Sequence, residues 1–185
     1  DRWLKRVSGT SEFYVAKAKA DHILSIVKKL SDNPMPICGV DVGCGTGLIA
    51  SMLLKAGIQV CGVDISDAMV GKRDSKTKGT LNLLVSSSSH LPFAGRSFDF
   101  AYSVCLLHHL DDQSRIDTVK EMKRVTKPGG LIIIFEHNPF NPIVQAMVRC
   151  CPLDRNARLL TPRTVRLLYQ AAGVKPIREQ YILFF

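Results

Sequence analysis

The residues best suited to chemistry come first in Asp41-Val42-Gly43-Cys44-Gly45-Thr46-Gly47, a run of glycines behind an acid. Glycine reaches backbone angles closed to other residues and lets a ligand approach main-chain N–H groups with no Cβ in the way, so such a turn can cradle a nucleotide. The spacing is G-x-G-x-G, closing at Gly47, whereas the dinucleotide fingerprint needs its third glycine at Leu48. That difference argues against a nicotinamide cofactor. Asp64 stands twenty-three positions after Asp41, where a carboxylate can accept hydrogen bonds from both ribose hydroxyls of an adenosine. Alone, Asp64 reads as a cap before Ser66-Asp67 and the glycines as a tight connection. Together they favour adenosine.

These side chains act jointly only if strands deliver them to one place. Strand and helix patterns alternate along the chain, which implies a mostly parallel sheet. A helix is predicted from about Glu12 to Leu30, with Ile23, Ile26, Val27 and Leu30 on one face, stopped by Asn33-Pro34-Met35-Pro36. Ile37 to Asp41 is a first strand, Leu48 to Ala56 a helix closed by Gly57, Gln59 to Val63 a second strand delivering Asp64, and Leu81 to Val85 a third. A fourth strand covers Ser97 to Val104. Asp112 to Thr126 forms a helix that buries Ile116, Val119, Met122 and Val125 and halts at Lys127-Pro128-Gly129-Gly130. The unbroken apolar run Leu131 to Phe135 predicts a fifth strand covered on both faces and central in the sheet. Thr161-Pro162 starts a last helix that stops at Gly173, and Val174 to Tyr181 is predicted as a sixth strand. His137 to Leu160 is long for a strand-to-helix connection and rich in Pro, Asn and Arg, so it is read as a substrate-binding loop.

Asp41 to Gly47 resembles the glycine motif of class I S-adenosylmethionine-dependent methyltransferases. Gly62-Val63-Asp64-Ile65-Ser66-Asp67-Ala68-Met69 is similar to that family's second-strand acidic motif, and Leu91-Pro92-Phe93 with Ser97-Phe98-Asp99 to its later strand. Leu106-Leu107-His108-His109-Leu110 is similar to the segment that follows, and Lys123 to Gly130 resembles the branch that includes quinone-biosynthesis methyltransferases. The resemblance runs from about residue 36 to residue 185. It implies a doubly wound, Rossmann-like α/β sheet with helices on both faces, in strand order 3-2-1-4-5 and then 6. The family's seventh, antiparallel strand has no sequence left to form it, so the chain is expected to be a fragment. On this reading residues 1–185 are one methyltransferase domain: an N-terminal helical segment 1–35, a cofactor-binding core 36–136, a substrate loop 137–160 and a C-terminal helix and strand 161–185.

The implied cofactor is S-adenosylmethionine. The resemblance sets Gly43, Cys44 and Gly45 against its methionine part, Asp41 at its amino group, Asp64 on the ribose, and Ile65 on the adenine face with Met69 nearby. The family commonly has an acid at the position of Ser87, but this chain reads Ser86-Ser87-Ser88-Ser89, so a hydroxyl of Ser87 or Ser88 is left as a weaker acceptor for the adenine amino group. Ser103, Val104 and Cys105 are expected to line the methionine end. Methyl transfer asks mainly for in-line positioning with water excluded, since the sulfonium is already an electrophile. An alcohol acceptor also needs a base, and His137 and His108 are the candidates, with His109 and Glu136 beside them. The expected acceptor is a small sugar, lipid or quinone-like metabolite taking the methyl on oxygen or carbon. Asn138-Pro139-Phe140 looks like the motif of base N-methylating enzymes, but it follows the fifth strand and not the fourth, which disfavours that activity. The alternatives are an RNA methyltransferase and a cofactor-binding module without activity.

Composition sets the bounds on these readings. A chain of 185 residues, 46% hydrophobic and 22% charged, fits one domain with its own core. No apolar run reaches the roughly eighteen residues of a membrane helix. The formal charge of +9 suits an anionic small-molecule partner, with Arg149, Arg155 and Arg158 as candidate phosphate or carboxylate ligands. Because the excess charge is spread over separate segments and no RNA-binding module is recognised, a nucleic-acid partner is disfavoured. The six cysteines show no C-x-x-C pair, so reduced thiols, a cytoplasmic setting and no metal are expected.

Overall fold

The computed structural model describes residues 2–29, 36–73, 79–154 and 156–182, with main chain only for 2–12 and 153. A long helix α1 (Arg2–Val27) precedes β1 (Cys38–Val42), α2 (Leu48–Lys55), β2 (Gln59–Asp64), the short α3 (Asp67–Gly71) and β3 (Asn82–Val85). Next come β4 (Phe98–Val104), a 3₁₀ turn Leu107–His109, α4 (Asp112–Val125) and β5 (Thr126–Phe135). The chain continues through α5 (Pro142–Cys150), a second 3₁₀ turn Pro152–Asp154 and α6 (Pro162–Ala171). The five strands lie in the order β3-β2-β1-β4-β5, and every pairing is parallel. The strand order therefore reverses between β1 and β4, and all carboxyl ends share one rim. In open α/β sheets ligands sit at such a reversal.

Both faces of the sheet are covered, which makes it doubly wound. On one face Ala20, Ile23 and Val27 of α1 and Leu53 of α2 pack with Phe100 and Tyr102 of β4. On the other, Met122 and Val125 of α4 close over Val40, Val42, Val63 and Ala101. Leu168 and Ala172 join Leu107 and Val119 in a third cluster that seats α6 on α4. Each fully buried Val, Leu, Ile, Phe or Met side chain among these contributes about 1.5–3 kcal/mol relative to exposure, and together they fix the strands whose tips form the rim.

The predicted elements match the observed ones to within a residue or two across β1 to α4, and Thr161 caps α6 by accepting from the Thr164 N–H as predicted. Four readings are corrected. Among the described residues the apolar run at Leu131 to Phe135 lies on the sheet edge, not at its centre: Leu131, Ile133 and Phe135 pack, partly buried, against the α1 side and Ile132 and Ile134 against the α4 side, so contacts on both faces account for the run without a second strand neighbour. The ladder of β5 also begins earlier, at Thr126, and the Pro-Gly-Gly stretch bulges out of it between the pairs at Phe98 and Phe100. Val174 to Tyr181 forms no strand among the described residues; Pro176 has no N–H to give a ladder. The loop predicted from His137 to Leu160 holds α5, capped by Asn141, whose side chain accepts from the Ile143 and Val144 N–H groups. In addition, α1 starts well before Glu12, while Leu30 and the helix-ending Asn33-Pro34-Met35 lie outside the described residues.

Candidate functional site

The rim assembles from the strand tips inward. Past β1 the chain bends through Gly43, Gly45 and Gly47 with φ of 77°, 54° and 75°, angles that L side chains avoid. The Gly43 and Cys44 N–H groups donate to the Val63 carbonyl at 2.8 and 3.0 Å, which folds the turn back onto β2. The next N–H, of Gly45, donates to Asp64 Oδ2 at 2.7 Å, and the Ser66 N–H donates to Asp64 Oδ1 at 2.9 Å. Asp64 is thus held at the tip of β2 by two main-chain donors, facing the turn. A Cβ at Gly45 would fill the space over the bend and meet Met69 Cε at 3.5 Å.

Behind the turn lies Asp41, 3% exposed, accepting a 2.8 Å hydrogen bond from the Tyr102 hydroxyl. Burial pushes its carboxyl up to about 7; the Tyr102 bond works the other way and the Asp64 charge adds to the rise. The Cys44 thiol is also driven up, by burial first and then by the Asp41 and Asp64 charges, so it stays neutral. Ser103, next along β4 after Tyr102 and so on the opposite face of the sheet, is completely buried, and its Oγ has no hydrogen-bond partner among the described residues. Ile65 projects 76% exposed from the tip of β2, with Met69 half-buried next to it. The serines after β3 are engaged with protein: Ser87 Oγ pairs with Ser89 Oγ at 2.9 Å, and Ser88 Oγ with Thr118 Oγ1 of α4 at 2.9 Å.

The other half of the rim follows β4 and β5. Cys105 leaves β4 with φ of 54°, a conformation that costs a non-glycine residue about 1–3 kcal/mol, and its N–H donates to the Phe135 carbonyl at 2.8 Å. Lys19 of α1 reaches across to its Sγ at 3.2 Å. His108 is buried, its Nδ1 2.6 Å from Glu136 Oε2, while Glu136 Oε1 accepts from the Leu107 N–H at 2.8 Å. His137 stands 5.0 Å from His108, ring centre to ring centre, and is more open. Burial lowers its pKa, helped by His108 and Lys19. Glu136 and His137 line a cleft of about 310 Å³ between α1, the end of β5, α5 and the chain past α6; Phe135, Met147 and Tyr169 give it apolar walls, and Lys19 and Arg178 supply cations.

The residues expected to serve one site therefore form two neighbouring groups: Asp41, Gly43, Cys44, Gly45, Asp64 and Ser103 at the strand reversal, and Glu136 with His137 at the cleft. Arg149 and Arg158 are not among the cleft-lining residues, and Arg155 lies outside the described residues. Tyr102, Lys19 and Asp154 escaped the sequence reading. Tyr102 shows only as an apolar strand residue, and Asp154, which approaches both His108 and His109, sits in Cys-Cys-Pro-Leu-Asp with no local pattern to mark it.

Comparison with known proteins adds an independent line. A family model described as a methyltransferase domain matches residues 40–134. A demethylmenaquinone methyltransferase of Staphylococcus saprophyticus is 36% identical over 110 residues, covering 56% of this chain and 46% of that protein. A tRNA (carboxymethyluridine(34)-5-O)-methyltransferase of Saccharomyces cerevisiae is 29% identical over 111 residues, covering 60% of this chain and 39% of that protein. The chain spans about half the length of the curated relatives it matches. Among solved structures, a SAM-dependent methyltransferase of Thermotoga maritima superposes with a TM-score of 0.67 at 24% identity, covering 93% of this chain and 78% of that one, a likeness of fold. The matched span begins in β1, crosses the glycine turn and Asp64, and ends in β5 just short of Glu136 and His137, so it takes in the strand reversal; this chain belongs to the methyltransferase-domain family.

Proposed function

We propose that the chain is the catalytic core of an S-adenosylmethionine-dependent methyltransferase that methylates oxygen or carbon of a small quinone-like, lipid or sugar acceptor. The observation that carries this reading is the bare glycine turn closed onto Asp64, with a second acid, Asp41, buried behind it. The chemistry of the rim fits the cofactor: the Asp64 carboxylate for the ribose hydroxyls, the Asp41 acid for the ammonium group, and a glycine at 45 whose added Cβ would stand over the bend against Met69 Cε. When bound, the cofactor supplies an electrophilic methyl group. The chain's own residues bind and orient it: Asp64 takes the ribose hydroxyls, Asp41 the amino group directly or through water, Gly43 and Gly45 leave room for the methionine part against a main chain whose N–H groups are already given to Val63 and Asp64, and Ile65 and Met69 take the adenine face, with Ser87 and Ser88 as weaker polar neighbours.

The acceptor fits the cleft beside Glu136 and His137, whose apolar walls and cationic Lys19 and Arg178 suit an apolar body carrying an acidic group. His137, which lines this cleft, is the candidate base for an alcohol or phenol; His108, with 1% of its surface exposed, positions neighbours instead of meeting an acceptor. A second reading, RNA methylation, draws on the +9 charge and on the tRNA-modifying relative. Calorimetry with S-adenosylhomocysteine tests the first. Binding is expected, and Asp64→Ala is expected to weaken it at least about tenfold, the worth of hydrogen bonds to a charged group. Unchanged affinity in that variant overturns the site. Binding with no transfer of labelled methyl to any extract component would make the chain a binding module.

A further inference from the structure

We propose that His108, His109 and Asp154 form a binding site for one divalent transition-metal ion, held at the joint between the core and the segment that walls the cleft. The three offer one donor atom each, all within 4.8 Å of one another. His108 Nε2 lies 3.5 Å and His109 Nε2 3.3 Å from Asp154 Oδ1. Those separations are long for hydrogen bonds, and the His108 Nε2 has no hydrogen-bond partner among the described residues although its side chain is 0% exposed. The two histidine-to-Asp154 separations match a metal centre instead: a tetrahedral ion with ligand distances of about 2.0–2.1 Å sets its donors about 3.3–3.4 Å apart.

The surroundings of His108 prepare it to ligate. Its Nδ1 faces Glu136 Oε2 at 2.6 Å, and the other Glu136 oxygen is tied to the Leu107 N–H, so the carboxylate keeps the ring proton on Nδ1 and leaves the Nε2 lone pair free. A carboxylate behind a histidine in this way orients the ring and raises its basicity toward a metal. The two imidazole rings are tilted by 49° with centres 4.2 Å apart, which turns both Nε2 atoms toward Asp154. Two imidazoles and one carboxylate select zinc, cobalt, nickel or ferrous iron over magnesium or calcium, which prefer oxygen donors alone. The cysteine spacing that argued against a thiolate site is silent about this one.

The position gives the ion a purpose. His108 and His109 belong to the 3₁₀ turn after β4, and Asp154 to the 3₁₀ turn after α5, so an ion between them staples α5 and the cleft wall to the core. The protein already makes one tether there, the Arg158 N–H to the His108 carbonyl at 2.8 Å. Three protein ligands leave at least one coordination position for water or a ligand. The site does not depend on the methyltransferase reading, because its donors lie apart from the glycine turn and Asp64.

The test uses the whole chain, stripped with a chelator and titrated with Co²⁺, then Zn²⁺. One equivalent of Co²⁺ is expected to give visible d–d absorption without thiolate charge-transfer bands, Zn²⁺ is expected to displace it, and the melting temperature is expected to rise with the metal. His109→Ala and Asp154→Ala, with folding checked by circular dichroism, are expected to lower affinity by about tenfold or more. Cys150→Ser and Cys151→Ser are expected to leave it unchanged. Absence of stoichiometric binding, thiolate bands, or equal affinity in the His109 and Asp154 variants overturns the proposal, the last meaning that Asp154 serves only as an acceptor for the two rings.

Discussion

Asp41 is placed where its charge is costly: it is buried beneath the glycine turn, near Asp64, with the Tyr102 hydroxyl as its hydrogen-bond partner. With its carboxyl raised to about 7, the folded protein holds a proton between roughly pH 4 and pH 7 that the unfolded chain has released. Its contribution to stability is therefore full below pH 4 and is lost as pH rises through 7. Asp41→Asn, which still accepts from Tyr102, should flatten that decline and leave the protein on the order of 2–4 kcal/mol more stable at pH 8 than the wild type, read by urea unfolding across this range. A ligand that sets its ammonium group against Asp41 reverses the balance by favouring the carboxylate. S-adenosylhomocysteine should bind the wild type more tightly as pH rises from 6 to 8, by up to about tenfold, and level off above. In Asp41→Asn a pH dependence as steep as in the wild type would remove Asp41 from the binding site.

The elements that hold the rim in place depend on polar ties that leave little trace in the sequence. Arg115 of α4 is 5% exposed and lies on the same helical stripe as Val119 and Met122, four and seven residues on. Its Nε donates to the Leu107 carbonyl at 2.8 Å, Nη1 to Asp112 at 2.7 Å and Nη2 to the Arg158 carbonyl at 3.5 Å. One side chain thus fastens the 3₁₀ turn that carries His108 and the approach to α6. Arg115→Met fills the space but removes the side-chain donor from the Leu107 carbonyl, which keeps the Leu110 N–H, and it is expected to cost roughly 1–3 kcal/mol by urea unfolding. Asp112 is 84% exposed, so Asp112→Ala should cost less than about 1 kcal/mol. Equal losses in the two variants would place the energy in the surface ion pair. Asn141-Pro142 is the opposite case: a capping acceptor followed by proline at the first helical position is a local rule, legible in the sequence, and the composition of the surrounding segment masked it.

On the scale of the whole molecule, the charge of +9 chooses between the two acceptor classes. The lysines and arginines are distributed over separate segments, so RNA should bind weakly and without sequence preference, and a rise from 50 to 200 mM salt should abolish the binding in a filter or anisotropy assay. Binding that survives this change, or that prefers one RNA, would favour the RNA-modifying reading over the small-molecule one.

No helix among the described residues is long and apolar enough to cross a membrane, in line with the absence of such a run in the sequence. The sequence by itself determined the alternation of elements, the glycine turn and the delivery of Asp41 and Asp64 to strand ends, because these follow from short-range rules: apolar runs, caps, and glycines with positive φ. The match of β1 to α4 to the predicted boundaries reflects that. Only the tertiary structure decided that β5 lies at the edge, that Tyr102 pairs with Asp41 sixty-one residues away, and that Asp154 comes to face His108 and His109. Those outcomes depend on which surfaces pack and on what burial does to a charge, and neither is a property of residue type or spacing.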